Sequence, residues 1–177
     1  MNMKKTLIST LSAIAALTAF NASAADGTIT FNGEVINQTC EVSPAGSNDF
    51  TVGLPTVTAS QLPTAGSTVG DTAFTIDLAN CDITKDGAYA FFEAGDTVNA
   101  DGRLINNGTA TNVVLELVDA GNQVIKAGSV DQSDAPFAAA IDANGNTSLS
   151  YTARYYATGA ATAGTVTTSV TYSIAYL

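Results

Sequence analysis

An antiparallel β-sandwich with almost no helix is the fold class this sequence predicts, and three observations predict it. Apolar residues recur with a period of two in several short runs, the spacing that places alternate side chains on one face of a strand. Turn signals stand between the runs: Asp86-Gly87, Asp101-Gly102, Asn107-Gly108, Ala120-Gly121-Asn122 and Asn144-Gly145-Asn146, residue types that suit the backbone conformations of tight hairpins. Gly, Thr, Ala, Asn and Val dominate beyond residue 24, where helical periodicity is scarce. Short strands at this spacing read as a sandwich of the immunoglobulin kind with six or seven strands. The chain has no tryptophan, so it lacks the buried indole of antibody domains.

In chain order, the first run is Ile29, Phe31, Gly33 and Val35, with Thr30, Asn32 and Glu34 on the opposite face. Phe74, Ile76 and Leu78 form the next, then Val113, Leu115 and Leu117, then Leu149, Tyr151, Ala153 and Tyr155. The last is the longest. From residue 166 to the carboxyl terminus there is no charge, proline or glycine, and Val166, Thr168, Val170, Tyr172, Ile174 and Tyr176 alternate with small polar residues. This predicts one long terminal strand, and a strand with an apolar face and an unpaired edge invites pairing by another chain. Residues 55–70, rich in Thr, Ser, Pro and Gly, read as an irregular surface connection with one helical turn near Ala59 to Leu62. Residues 131–136 read as a second loop.

Lys4 and Lys5, the apolar run of residues 7–20 and Ala22-Ser23-Ala24 have the form of a secretory signal, with cleavage between Ala24 and Ala25. The rival, a retained anchor, is disfavoured by a run shorter than the ~20 residues a spanning helix needs, so no stable membrane insertion is expected. Cleavage leaves 153 residues, enough for one domain with a hydrophobic core. It also leaves four basic residues against sixteen acids, a net charge of −12. Nucleic acid and anionic lipid need a basic footprint and are excluded as partners.

Cys40 and Cys81 are the only cysteines. In an exported chain such a pair is most simply a disulfide, which would stabilise by roughly 4 kcal/mol through its long closed loop. A redox or metal pair is the weaker reading, because the spacing is not C-x-x-C and the chain has no histidine to complete a site. The missing histidine also excludes Ser-His-Asp and Cys-His catalysis. The acids fall mainly beside Gly or Asn in turns, where they cap the backbone. Asp142-Ala143-Asn144-Gly145-Asn146 has its glycine at the wrong position for a calcium loop and reads as a hairpin turn. The pair Tyr155-Tyr156 suits a sugar platform in principle, but one ring inward and one outward is the ordinary consequence of strand geometry. No enzyme, cofactor or metal is expected.

The two ends of the mature chain remain. Ile29, Phe31, Gly33 and Val35 suit a donor strand for the edge left open at the far end; they suit equally the first core strand of a closed sandwich. Gly27-Thr28-Ile29-Thr30-Phe31-Asn32-Gly33-Glu34-Val35-Ile36-Asn37 ahead of Cys40, Ala110-Thr111-Asn112-Val113, the stretch Ala153-Arg154-Tyr155-Tyr156-Ala157-Thr158-Gly159, Gly164 fourteenth from the end and the penultimate Tyr176 occur in that order. In this combination the chain resembles the subunits of chaperone–usher fimbriae, specifically the type 1 major pilin group, over essentially its whole mature length.

The resemblance implies an all-β, incomplete immunoglobulin-like sandwich of six strands whose seventh is supplied in trans by donor-strand complementation, a mode of strand addition for which pilins are themselves a standing example. It implies a signal peptide over residues 1–24, a donor extension over 25–36 and a pilin domain over 37–177. Ile29, Phe31 and Val35 would be the donor's knobs, and Gly33 the position where a side chain does not fit. Gly164, Val166, Val170, Tyr172, Ile174 and Tyr176 would line the acceptor groove and bind the chaperone. The partners implied are a periplasmic pilus chaperone, an outer-membrane usher and further copies of the chain, with export through the periplasm to a cell-surface fimbrium that supports adhesion. A donor at one end and an acceptor at the other make a head-to-tail contact that gives open filaments. The extension ahead of Cys40 is shorter than the group's usual length; a major shaft subunit is favoured over a minor or adaptor subunit, and a tip adhesin would need a further lectin domain. A monomeric exported sandwich binding through loops such as residues 96–107 is the competing function.

Overall fold

The computed structural model describes Thr30 and residues 40–43, 48–136 and 138–177. All elements below belong to the unit Ile36–Leu177. Among the described residues nine strands follow in order: β1 (Glu41–Ser43), β2 (Thr68–Ala79), β3 (Gly87–Phe92), β4 (Leu104–Ile105), β5 (Val113–Asp119), β6 (Val124–Ile125), β7 (Ala139–Ala140), β8 (Thr147–Ala157) and β9 (Tyr172–Tyr176). Short helical turns occupy Ala59–Gln61, where the sequence predicts one, and Val130–Asp134, overlapping the stretch 131–136 read as loop.

The strands form two antiparallel sheets. One has the order β1-β2-β8-β5-β4 with β6 also on β5; the other has the order β7-β3-β9. The long β2–β8 pair is the spine of the first sheet, and period two is visible in its burial. Ile76 and Leu78 on β2, with Leu149, Tyr151, Ala153 and Tyr155 on β8, face inward while their neighbours face out. Ala88, Ala90 and Phe92 of β3 meet them from the other layer in one core, where the Phe92 ring stands edge-on to Tyr151 at 5.1 Å. Gly70 takes φ +79° where the β2–β8 register shifts between Val69 and Thr72. A Cβ there would press on the Tyr155 ring, so glycine serves both the bulge and the packing.

Cys40 and Cys81 are disulfide-bonded, tying the start of β1 to the end of β2. Asp142 makes the expected turn between β7 and β8, its carboxylate accepting from the backbone N–H groups of Asn144 and Asn146 at 2.8 and 2.9 Å. Tyr155 points inward and donates to the Pro55 carbonyl, whereas Tyr156 lies outside with the Arg103 guanidinium 3.8 Å over its ring.

Several sequence expectations need correction. The terminal strand begins at Tyr172 rather than Val166, because residues 165–171 give their backbone groups to a loop instead of a ladder. Gly87 begins β3 rather than sitting in a turn, and β2 starts at Thr68 inside the stretch read as irregular. β5 is buried on nearly every residue, since its outward Glu116 is covered by two arginines.

Candidate functional site: the groove beside the carboxyl-terminal strand

β9 is paired along its length with β3, in the register Ala88↔Tyr176, Ala90↔Ile174 and Phe92↔Tyr172. Among the described residues it is the last strand of its sheet, so β9 has one partner there. Upstream of it, Gly164 crosses directly against the backbone of Thr109 and Ala110, and Gly108 crosses against Thr165; a Cβ on either glycine would fall on the other segment's backbone atoms. This close approach lets a clamp form. Ala110 N–H donates to the Thr165 carbonyl at 3.0 Å and Asn107 N–H to the Thr167 carbonyl at 2.8 Å. Thr165 N–H donates to Thr109 Oγ1 and Thr167 N–H to Asn106 Oδ1, each at 2.9 Å.

The clamp keeps the alternation of the terminal segment although no ladder forms there. Val166, Val170, Tyr172, Ile174 and Tyr176 are half-buried and pack against the core, Thr168 shares their inward face, and Thr167, Ser169, Thr171 and Ser173 face solvent. Tyr176 also holds the far end of the chain, because its hydroxyl accepts from the Cys40 N–H at 3.2 Å beside the disulfide.

Next to this face, side chains from both layers line a cavity of about 430 Å³. Phe74, Ile76, Leu104, Leu115, Leu117 and Ala153 supply one side, and Phe92, Val170 and Tyr172 the other. Residues 48–54 run along its rim. Phe50, 48 % exposed, sets its ring 6.1 Å from Phe74 and 6.3 Å from Tyr172, and the Tyr172 hydroxyl donates to the Asn48 carbonyl at 2.8 Å. Burial, and secondarily the carboxylate of Asp49, pushes the Tyr172 hydroxyl above its ordinary pKa, which keeps it a donor. The cavity is therefore an apolar slot between two walls, residues 48–54 and the terminal segment. Asn48, Asp49, Thr51 and Ser169 also reach the slot, and Thr168 Oγ1 is buried there with no hydrogen-bond partner among the described residues.

The structure thus gathers Val166, Val170, Tyr172, Ile174 and Tyr176 on one face, and places Gly164 at the crossing that positions them rather than in the slot. Ile29, Phe31, Gly33, Val35, Ala24 and Ala25 lie outside the described residues. Sequence reasoning missed the second wall, although Phe50, Val52 and Leu54 alternate with Thr51 and Gly53 as a short strand would. It also missed the outer-face cluster of Glu116, Arg103 and Arg154. Glu116 is 2 % exposed and accepts from Arg103 at 2.8 and 2.9 Å and from Arg154 at 2.6 and 2.8 Å.

Two-layer sheet packing with a slot beside the last strand defines an immunoglobulin-like structural domain. A family model described as fimbrial protein matches residues 29–176, and the chain belongs to that family of structural, non-enzymatic fimbrial subunits. It is 46 % identical over 163 residues to the major fimbrial subunit SMF-1 of Stenotrophomonas maltophilia (strain K279a), covering 88 % of this chain and 95 % of the relative. It is 34 % identical over 176 residues to the type-1 fimbrial protein, A chain, of Escherichia coli (strain K12), covering 96 % and 91 %. A solved chaperone–usher pilus structure superposes with a TM-score of 0.62 at 27 % identity, over 86 % of this chain and 96 % of that one. The rod subunit of the P pilus, PapA, superposes at 0.54 with 22 % identity over 85 % and 100 %, a likeness of fold. The protein is a structural subunit of a fimbrium that assembles with other subunits.

Proposed function

We propose that this chain is the major shaft subunit of a chaperone–usher fimbria, joined head to tail when residues 25–36 of one copy enter the slot beside β9 of the next. The observation that carries the reading is the slot itself: a cavity with an apolar floor at the start of a carboxyl-terminal strand that has one partner among the described residues. The amino-terminal segment has the matching chemistry. Ile29, Phe31 and Val35 share one face, and burying three such side chains at ~1.5–3 kcal/mol each gives roughly 5–9 kcal/mol. A main-chain ladder along β9 adds about 0.5–1.5 kcal/mol per bond, and ordering the extension offsets part of the total. Residues 1–24 direct export, with cleavage between Ala24 and Ala25. A periplasmic chaperone covers the slot until an outer-membrane usher exchanges it for the next donor, and the fibre serves adhesion at the cell surface. Major fimbrial subunits among the relatives support the shaft role.

Gly33→Leu in the full chain tests this reading. The expected result is loss of fibres by electron microscopy with chaperone binding intact. Fibres of normal length from that variant, or a stable monomer from the wild type without any chaperone, would overturn it.

A further inference from the structure

The β7–β3–β9 sheet has a second edge, and side-chain hydrogen bonds occupy part of it beyond β7. β7 covers only Gly87 and Ala88 of β3. Beyond it, the groups of Ala90 and Phe92 that face away from β9 would form a short template for strand pairing. Both N–H groups and the Phe92 carbonyl are occupied. Ala90 N–H donates to the buried Tyr151 hydroxyl at 2.8 Å. Phe92 N–H donates to Gln132 Oε1 at 2.9 Å, while Gln132 Nε2 donates back to the Phe92 carbonyl at 3.0 Å and to the Ser129 carbonyl at 3.2 Å. Gly128 N–H adds a second donor to the Phe92 carbonyl at 2.8 Å. The Gln132 amide thus copies the paired N–H and C=O of a neighbouring strand residue, and the Val130–Asp134 turn presents it.

We infer that Gln132, with Tyr151 behind it, is an edge lock that denies the β7 side of β3 to donor strands, so that strands added to this sheet enter beside β9. The inference rests on the head-to-tail reading above: a subunit that exports an adhesive strand at one end must offer one acceptor edge, because a second would branch or bundle the filament. Glutamine suits the task because its amide carries an acceptor and a donor side by side, whereas Glu lacks the donor and Leu lacks both.

The test uses full-length chain carrying Gln132→Ala or Gln132→Glu, assembled in cells. In Gln132→Ala, amide exchange at Phe92 should rise roughly tenfold while that at Ala90, held by Tyr151, stays within about twofold. Fibres should still form, but bundled or branched in negative stain, and Gln132→Glu should lie between wild type and Gln132→Ala. A Gly33→Leu/Gln132→Ala double variant should form no linear fibres yet still associate laterally. Linear, unbundled fibres from Gln132→Ala with wild-type protection at Phe92 would overturn the edge lock. Linear fibres from Gly33→Leu alone would instead count against the head-to-tail reading. Should Gln132→Ala fail to fold, Gln132→Glu, which keeps the acceptor for Phe92 N–H, decides the same question: bundled fibres support the lock, and linear ones overturn it.

Discussion

Substituting Gly164 by alanine would test whether the slot's inner wall is positioned by the crossing at residues 106–110. The added Cβ would fall on the backbone of Thr109 and Ala110, atoms that cannot rotate away as a flexible side chain does. Relief requires the two segments to separate, which stretches the hydrogen bonds from Ala110 to Thr165 and between Thr109 and Thr165. Two or three bonds at about 0.5–1.5 kcal/mol each, with the loosened packing of Val166, amount to roughly 2–4 kcal/mol. Alanine also restricts the unfolded chain, which returns about 0.4–1 kcal/mol. The net loss is then ~1–3 kcal/mol, a fall in Tm of roughly 3–10 °C for a domain of this size. Thermal unfolding of the disulfide-intact protein by circular dichroism reads it, with Gly53→Ala as the control, since a Cβ at Gly53 meets nothing. A Gly164→Ala protein as stable as the Gly53→Ala control would refute the claim that this crossing sets the wall.

Three further outcomes follow from the same geometry. Glu116→Leu strands two guanidinium groups on a largely buried face and should cost about 2–4 kcal/mol in urea unfolding, whereas replacing Glu116, Arg103 and Arg154 together by Leu should return to within about 1 kcal/mol of wild type; a silent single substitution contradicts this account. Thr168→Val removes a buried hydroxyl with no partner and should raise stability by about 1 kcal/mol, so a loss of that size would reveal a partner. Burial raises the pKa of the Tyr151, Tyr155 and Tyr172 hydroxyls above 10 in the folded protein. The unfolded chain then loses those protons first as pH rises through ~10, so stability is full below that pH and falls above it, chiefly through Tyr151, since solvent screens the Tyr155 and Tyr172 hydroxyls more. With no histidine in the chain, urea midpoints should stay level between about pH 6 and 9, and a break within that window contradicts the scheme.

Much of the fold was legible because period two survives wherever a strand has one buried and one solvated face. The runs at Phe74, Leu115, Leu149 and Tyr172 are strands in the structure, and Cys40 with Cys81 forms the disulfide expected of an exported pair. The candidate site was half legible. Its inner wall shows in the uncharged alternation after residue 165, but period two reports which side chains face inward and not what the backbone pairs with. That is why residues 166–171 read as strand although their carbonyls and N–H groups go to Asn106, Asn107 and Glu93.

Sequence alone determined the all-β class, the core-facing residues of the long strands and the apolar face of the terminal segment, since all three are properties of residues a few positions apart. Only the tertiary structure decided that residues 48–54 form the opposite wall, that Glu116 is neutralised by Arg103 and Arg154 from distant parts of the chain, and that Gln132 closes an edge of β3 forty positions away. Each of these joins groups well separated in sequence, and such meetings are set by how two sheets stack rather than by any local pattern.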